Sequence, residues 1–391
     1  MGIANSERLL KGHIPQLLSL WRGGGGSGPM TNGEMTRASD SLFSLQRGLT
    51  GERTLAGTGY MQDSNLLGAY LLYYWPVSYL QVSLALSERM DVLSSLPDGI
   101  RILDLGCGPG AASMALCDLL PGRKKQITLA DASGKAMKIA AKMLNTGDVT
   151  VTERIVDFEH DLPDPSWGAF DVVIANHLLN ELWVGKANAL QSRVDFLERW
   201  TASLASDGLL FIAEPALLKT SREELAVRDE LTGRGFSVLS PCMGDGPCPA
   251  FAAGDGHTCH GEIGWKPIEP IASLAMGSHL DRESVKMAYF FFRKGKIQRK
   301  SVPGGMLRAR VVSDGMLNKG GRLRYLLCDG ARRFPFSARK DDPRAKAQGF
   351  LGLRRYDLVE ITHPEIRKSG EEVSYGVGPE TYIRLVSRIA R

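Results

Sequence analysis

Apolar residues recur in two rhythms along this chain. In the first half, short apolar runs at 100–105, 126–130, 170–175 and 209–213 alternate with stretches whose apolar positions return every three to four residues, at about 111–120, 134–145 and 186–204. Uninterrupted runs of that length suit strands buried on both faces, and the intervening period suits amphipathic helices. The alternation predicts an α/β fold with a doubly wound parallel sheet. After Ser284 the rhythm changes to short strands, at 285–292, 307–312, 324–327, 358–361 and 381–385, divided by turns such as Asp314-Gly315 and Gly320-Gly321. That pattern predicts a small β-barrel, of the oligonucleotide-binding type.

The N-terminal third is less regular. Residues 6–21 predict a short amphipathic helix, and the glycine run 23–26 with Ser27, Gly28 and Pro29 breaks it. A GGGGS run of this kind also reads as an engineered linker. Weak patterning from 23 to 59 predicts a mobile segment. Residues 64–87 contain no charge, long enough for a membrane span. Pro76, the polar tips of Tyr70, Tyr73, Tyr74, Tyr79 and Gln81, and the lack of a flanking basic cluster argue for two soluble helices broken near Pro76. The expected organisation is an N-terminal helix and flexible segment (1–59), a helical cap (60–97), the α/β domain (98–236), a cysteine-rich segment (237–283) and a basic barrel (284–391).

Composition sharpens this outline. With 43% hydrophobic and 23% charged residues the chain of 391 residues is globular, and six cysteines are too few for a disulfide scaffold. No secretory signal is read at the N-terminus, so the thiols are expected to be reduced. The formal charge of +5 conceals an asymmetry: residues 1–280 carry 23 Lys+Arg against 31 Asp+Glu, residues 281–391 carry 25 against 12. The basic C-terminal part predicts a polyanionic partner, nucleic acid first. Arg308, Arg310, Lys319, Arg322, Arg324, Arg332, Arg333, Arg354 and Arg355 are candidate phosphate contacts, with Tyr325, Phe334 and Phe336 as candidate stacking partners.

The first strand runs into Asp104-Leu105-Gly106-Cys107-Gly108-Pro109-Gly110, where glycines allow a tight turn and a close ligand approach. The D-x-G-x-G-x-G pattern differs from the pyrophosphate fingerprint G-x-G-x-x-G and favours S-adenosylmethionine over a dinucleotide. A second strand ends in Asp131, suited to ribose hydroxyls. A third leads into Asp157 and Phe158, suited to the adenine amine and ring, and a fourth ends at Asn176-His177. This series resembles the class I methyltransferases (Rossmann-like) over roughly residues 98–218. The resemblance implies a seven-stranded sheet with the cofactor at its carboxyl edge, Asp104 near the methionine amine, and Gly106, Gly108 and Gly110 under the sugar. Cys107 and Cys117 are expected to be small buried side chains.

The other cysteines form a second constellation. Cys242 and Cys248 stand with five residues between them in a Gly- and Pro-rich stretch, Cys259 follows after ten more and precedes His260, and Cys328 is distant. Four thiolates suit tetrahedral zinc or a four-iron cluster, with His257 and His260 as spare ligands, and this spacing alone does not choose the metal. The combination of a methyltransferase core, a C-x5-C-P pair, a Cys-His and a lone cysteine in a basic barrel resembles the methyltransferase-like assembly factors of the small ribosomal subunit of mitochondria and bacteria. Tyr73-Tyr74-Trp75-Pro76-Val77-Ser78-Tyr79 and Ile212-Ala213-Glu214-Pro215 share in the resemblance, which spans most of residues 60–391. It implies that Cys242, Cys248, Cys259 and Cys328 hold a 4Fe-4S cluster, zinc being the alternative. It also implies a partner in the small subunit and its ribosomal RNA.

The chemistry is open at this stage. The N-P-P-[YF] motif that grips an exocyclic amine is replaced by Asn176-His177-Leu178-Leu179, and no cysteine stands there for covalent attack on a pyrimidine. His177 and Glu181 are the candidate bases. The readings are a ribosomal RNA methyltransferase, an assembly factor that methylates little or nothing, and a small-molecule methyltransferase with a structural zinc. The expected compartment is a bacterial cytoplasm, with the mitochondrial matrix as the alternative.

Overall fold

In a computed structural model the described residues are 2–51, 54–55, 59–280, 282–299, 301–369 and 372–389. They form two compact units. The first comprises Met1–Pro215 with Gly264–Lys286, and the second Ala216–Ile263 with Met287–Ile389.

The first unit carries strands β1 (Ile100–Leu105), β2 (Lys125–Asp131), β3 (Val149–Ile155), β4 (Phe170–Asn176) and β5 (Leu204–Glu214). They lie in the order β3-β2-β1-β4-β5, every pair parallel. Helices Ala111–Leu119, Gly134–Leu144 and Ala189–Trp200 occupy the crossovers. Side chains of Ile102, Leu103, Leu105, Leu129, Val172, Val173, Ile174 and Leu210 are fully buried, as the continuous apolar runs require. The reversal of strand order beside β1 makes the carboxyl ends of β1 and β4 the natural ligand crevice.

Two expectations change here. The segment 23–59 holds a helix, Asn32–Gln46, where weak patterning predicts mobility. Thr31 and Glu34 close a capping box at its start, and Ala38, Leu42 and Leu45 bury one face. Residues 52–53 and 56–58 of the expected mobile stretch lie outside the described residues. Pro76 does not break the charge-free stretch: Ser64–Ala69 passes through a π turn, Tyr70–Tyr74, into Trp75–Ser87. The proline stands in the first turn after the π turn, where its missing N–H costs little. No described helix is long and apolar enough to cross a membrane.

The second unit opens with helix Leu218–Gly233 and contains β6 (Phe236–Ser240), β7 (Gly261–Gly264), β8 (Ser284–Lys294), β9 (Met306–Val311), β10 (Met316–Leu317), β11 (Arg322–Cys328), β12 (Arg333–Arg339), β13 (Leu358–Thr362), β14 (Glu365–Ser369), β15 (Glu372–Gly376) and β16 (Tyr382–Ser387), with one end of β7 and of β8 belonging to the first. β6 pairs antiparallel with β8. The remaining strands follow the path β14-β15-β12-β11-β9-β13-β16, with β10 on β11. This path is open among the described residues, and its pairings alone do not establish the expected small barrel. The strands share one apolar cluster that includes Val311, Leu327, Phe336, Phe350 and Ile383 from both halves of the path. Ala345 and Phe350, from the connection between β12 and β13, pack into that cluster.

The same core corrects the stacking expectation. Tyr325, Phe334 and Phe336 are buried, with Phe336 and Tyr325 edge-on to Phe350, and none is available to a base. The cysteine-bearing segment is likewise not a unit of its own, since Cys242, Cys248, Cys259 and Cys328 all fall within the second unit.

Candidate functional site

The glycine turn at the end of β1 is held from several sides. Gly106, Gly108 and Gly110 all have left-handed backbone, φ +64°, +49° and +82°. A Cβ on Gly106 would stand 2.7 Å from Leu178, and one on Gly110 2.7 Å from Ala140. Gly110 caps helix Ala111–Leu119. The Gly108 N–H donates to Asp131 Oδ2 at 2.8 Å, and the Ser133 N–H donates to Asp131 Oδ1 at 2.7 Å. Asp131 thus ties the turn after β1 to the end of β2. Burial raises its pKa. Trp75 Nε1 donates to the Pro109 carbonyl at 2.9 Å, and the Trp75 ring stacks on Tyr79, whose hydroxyl donates to Asp118. His13 reaches the same Asp118 oxygen at 2.7 Å, so the N-terminal helix Ile3–Trp21 braces the turn as well.

Beyond the turn lies a cleft of about 420 Å³, in the range of small-molecule sites. Gly106, Asp131, Asp157, Phe158, Asn176, His177 and Glu181 line it, together with Tyr60, Tyr70 and the chain at 59–62. Of the residues expected at a cofactor, Asp104, Gly108 and Gly110 do not line this cleft. Asp104 is buried behind the turn: Oδ2 accepts from Ser113 Oγ at 2.6 Å, while Oδ1 has no hydrogen-bond partner. Burial pushes this carboxyl up to about 7. Asp157 is exposed and accepts from the Glu159 N–H and from His160 Nδ1. Phe158 packs edge-on against Phe196 and Trp200, both at 5.6 Å between ring centres. Asn176 donates to Ser78 Oγ at 2.8 Å, and its Oδ1 is buried without a partner.

The two candidate bases differ in their surroundings. His177 has φ +57°, and its Nε2 lies 2.8 Å from Gln81 Oε1. Its Nδ1 is sealed from solvent, and burial holds the ring neutral with a pKa of about 4. Glu181 accepts from the Tyr60 hydroxyl at 3.3 Å on the wall of the cleft. Nothing in the sequence singles out Tyr60, because no motif links a residue at 60 to one at 181.

The second unit holds a cavity lined by all four expected cysteines, with Arg228, Arg310, Arg333 and Tyr356 around them. Cys259 Sγ lies 3.4 Å from the Tyr356 hydroxyl. Burial raises the Cys242 thiol, and raises Cys248 and Cys328 to about 11, with neighbouring cysteines adding to the effect. Among the described residues no three His, Cys, Asp or Glu side chains are drawn together as a ready-made metal site. The thiols ring a shared cavity rather than converge on a point. Neither His257 nor His260 lines it. Cys107 is buried and Cys117 half-buried, their thiols raised by burial, Cys117 to about 12, which suits packing and not nucleophilic attack.

Several candidate phosphate contacts are already engaged. Arg310 is buried and donates to the Pro241 and Tyr356 carbonyls, and Arg333 donates to the Thr258 carbonyl. Arg308, Arg332 and Arg355 pair with Glu360, Asp329 and Asp314. Arg322 stands directly opposite Arg339 across β11 and β12, with exposed Arg324 two positions along the same face.

Among solved structures, a plantazolicin methyltransferase in complex with SAH is 12% identical, covering 68% of this chain and 98% of its own, at a TM-score of 0.36. A putative RNA methyltransferase from Pyrococcus horikoshii is 16% identical, with 54% and 85% coverage and a TM-score of 0.33. A SAM-dependent methyltransferase from Leishmania major is 13% identical, with 66% and 83% coverage and a TM-score of 0.35. At such values these likenesses say nothing of chemistry. No curated protein matches the chain in sequence. The sequence model of the family described as mitochondrial small ribosomal subunit Rsm22 matches residues 65–335, well over half of the chain. That span runs from the helix bracing the glycine turn through all four cysteines of the second unit, and the chain belongs to this Rsm22 family.

Proposed function

We propose that this protein binds S-adenosylmethionine in the cleft of its first unit and associates with the small ribosomal subunit and its RNA in assembly or translation, carrying a structural 4Fe-4S cluster on Cys242, Cys248, Cys259 and Cys328. The observation that carries the reading is the glycine turn: three left-handed glycines pinned to Asp131 open onto a cleft at the ends of β1, β2 and β4. On the cleft wall Asp131 suits the ribose, and Asp157 with Phe158 the adenine, while Asp104 supports the turn from behind. The cofactor would supply an electrophilic methyl group. Glu181, beside Tyr60, is the residue placed to take a proton from an acceptor.

Four thiols round one cavity suit a polynuclear centre better than a single zinc, which needs every sulfur about 2.3 Å from one point. The family description names a mitochondrial small subunit, which favours the mitochondrial matrix over the bacterial cytoplasm. Arg322 and exposed Arg324 on one face of β11 support a polyanionic partner, Arg339 opposite Arg322 being held by Asp341.

A second reading, an assembly factor without methyl transfer, is favoured by His177, whose nitrogens are both occluded and which therefore offers no base to the cleft. Labelled S-adenosylmethionine incubated with immature small subunits separates the two. Transfer to RNA supports the enzyme; tight particle and cofactor binding without transfer supports the factor. Failure to bind the cofactor at all overturns both.

A further inference from the structure

The four cysteines come from two loops and one strand, and both loops are held by arginines. Cys328 ends β11, and its cross-strand neighbours are Arg310 on β9 and Arg333 on β12. Arg310 Nε donates at 2.8 Å to the carbonyl of Pro241, the residue before Cys242. Arg333 Nη2 donates at 2.9 Å to the carbonyl of Thr258, the residue before Cys259. Arg228, from helix Leu218–Gly233, donates to the carbonyls of Gly244 and Gly246, between Cys242 and Cys248. Its neighbour Asp229 accepts from the Cys248 N–H at 2.9 Å. All three arginines line the cavity, and Nε of Arg228 and of Arg333, both buried, have no hydrogen-bond partner.

We propose that Arg228, Arg310 and Arg333 are positioning residues for the four-thiolate site, each fixing a cysteine loop through a backbone carbonyl and setting positive charge round the cavity. This rests on the reading of the thiols as cluster ligands. Four thiolates on one centre concentrate negative charge in a buried place, and buried charge must be compensated. The two partnerless Nε–H groups are donors of the type that bond cluster sulfur and shift its potential. A guanidinium reaches a carbonyl with one edge and keeps another free for the thiolates, which an ammonium does not.

The test uses the full chain, reconstituted anaerobically with ferrous iron and sulfide, and compares wild type with Arg333→Met, Arg333→Lys and Arg310→Met. Arg333 is half-buried, so its variants keep the test alive if Arg310→Met does not fold. Iron and acid-labile sulfide per chain, the decay of visible absorbance under a chelator, and the reduction potential are read. Wild type is expected to load. Arg333→Met is expected to decay about tenfold faster or more, as other outer-shell losses do, at a more negative potential. Arg333→Lys is expected to keep the potential near wild type, because the charge stays, while decaying faster, because the carbonyl fork is gone. Variants that load, decay and titrate like wild type overturn the arginine proposal and leave the cluster standing. A wild-type chain that takes up no iron and sulfide overturns both.

Discussion

The cleft of the first unit and the cavity of the second are built by opposite means. The cleft is made by backbone at the ends of adjacent parallel strands, and its key positions are glycines whose conformation is fixed locally. The cavity is made by side chains brought from positions 225 to 356, far apart along the chain. A site of the first kind survives loss of distant contacts and fails when one backbone position is blocked. A site of the second kind tolerates local change and fails when one contributor is lost. The two lie in separate compact units, so each should be breakable without the other.

The sharpest break is Cys328→Ser. It should abolish iron and sulfide uptake while leaving S-adenosylmethionine binding within a factor of about two of wild type. Loss of both at once would show that the sites depend on each other. The reciprocal change is Gly110→Val. With φ at +82° and Ala140 Cβ 2.7 Å from the new Cβ, it combines left-handed strain with a clash against helix Gly134–Leu144, about 3 kcal/mol in all. Cofactor binding by calorimetry should vanish and urea unfolding of the first unit should shift to lower urea, with iron content unchanged.

A smaller effect separates the outer face of the second unit from its cavity. Replacing Arg322 and Arg324 by Ala should reduce the slope of log affinity against log salt by about 1 to 2 for small-subunit RNA. Cluster loading should not change, because neither residue lines the cavity. An unaltered salt slope would place the phosphate contacts elsewhere.

The same contrast explains what can be read from sequence. β1 forms at 100–105, where the pattern places it, because a continuous apolar run ending in D-x-G-x-G carries both its burial and its turn. Only the family resemblance joins Cys328 to the other cysteines. The arginine anchors are invisible, because a guanidinium bonded to a carbonyl leaves no mark in spacing. Helix Asn32–Gln46 is hidden by its polar composition, although Thr31 and Glu34 spell a capping box. Tyr325 and Leu327, and then Phe334, Phe336 and Ala338, alternate along β11 and β12 as inward positions do. That period of two assigns these aromatics to the core.

The least of the expected effects concerns Glu214 at the end of β5, in the Ile212-Ala213-Glu214-Pro215 segment. Its Oε1 accepts from the Leu179 N–H at 2.8 Å, and burial raises the carboxyl to about 7, with Asn180, Arg193 and the 179–180 backbone opposing the rise. The folded state therefore holds this proton more tightly than the unfolded chain does. The stabilisation is present below the unfolded value near 4.5 and is lost as pH rises towards 7. Asp104, also raised to about 7, adds a second loss of the same sign. Glu214→Gln should shrink the fall in unfolding free energy between about pH 5 and 7 by on the order of 1 kcal/mol without abolishing it, because Asp104 still titrates. Urea titrations at several pH values across that range measure this directly. Equal slopes in the variant and wild type would mean that Glu214 ionises freely, and that the end of β5 is open to water where the end of β1 is closed.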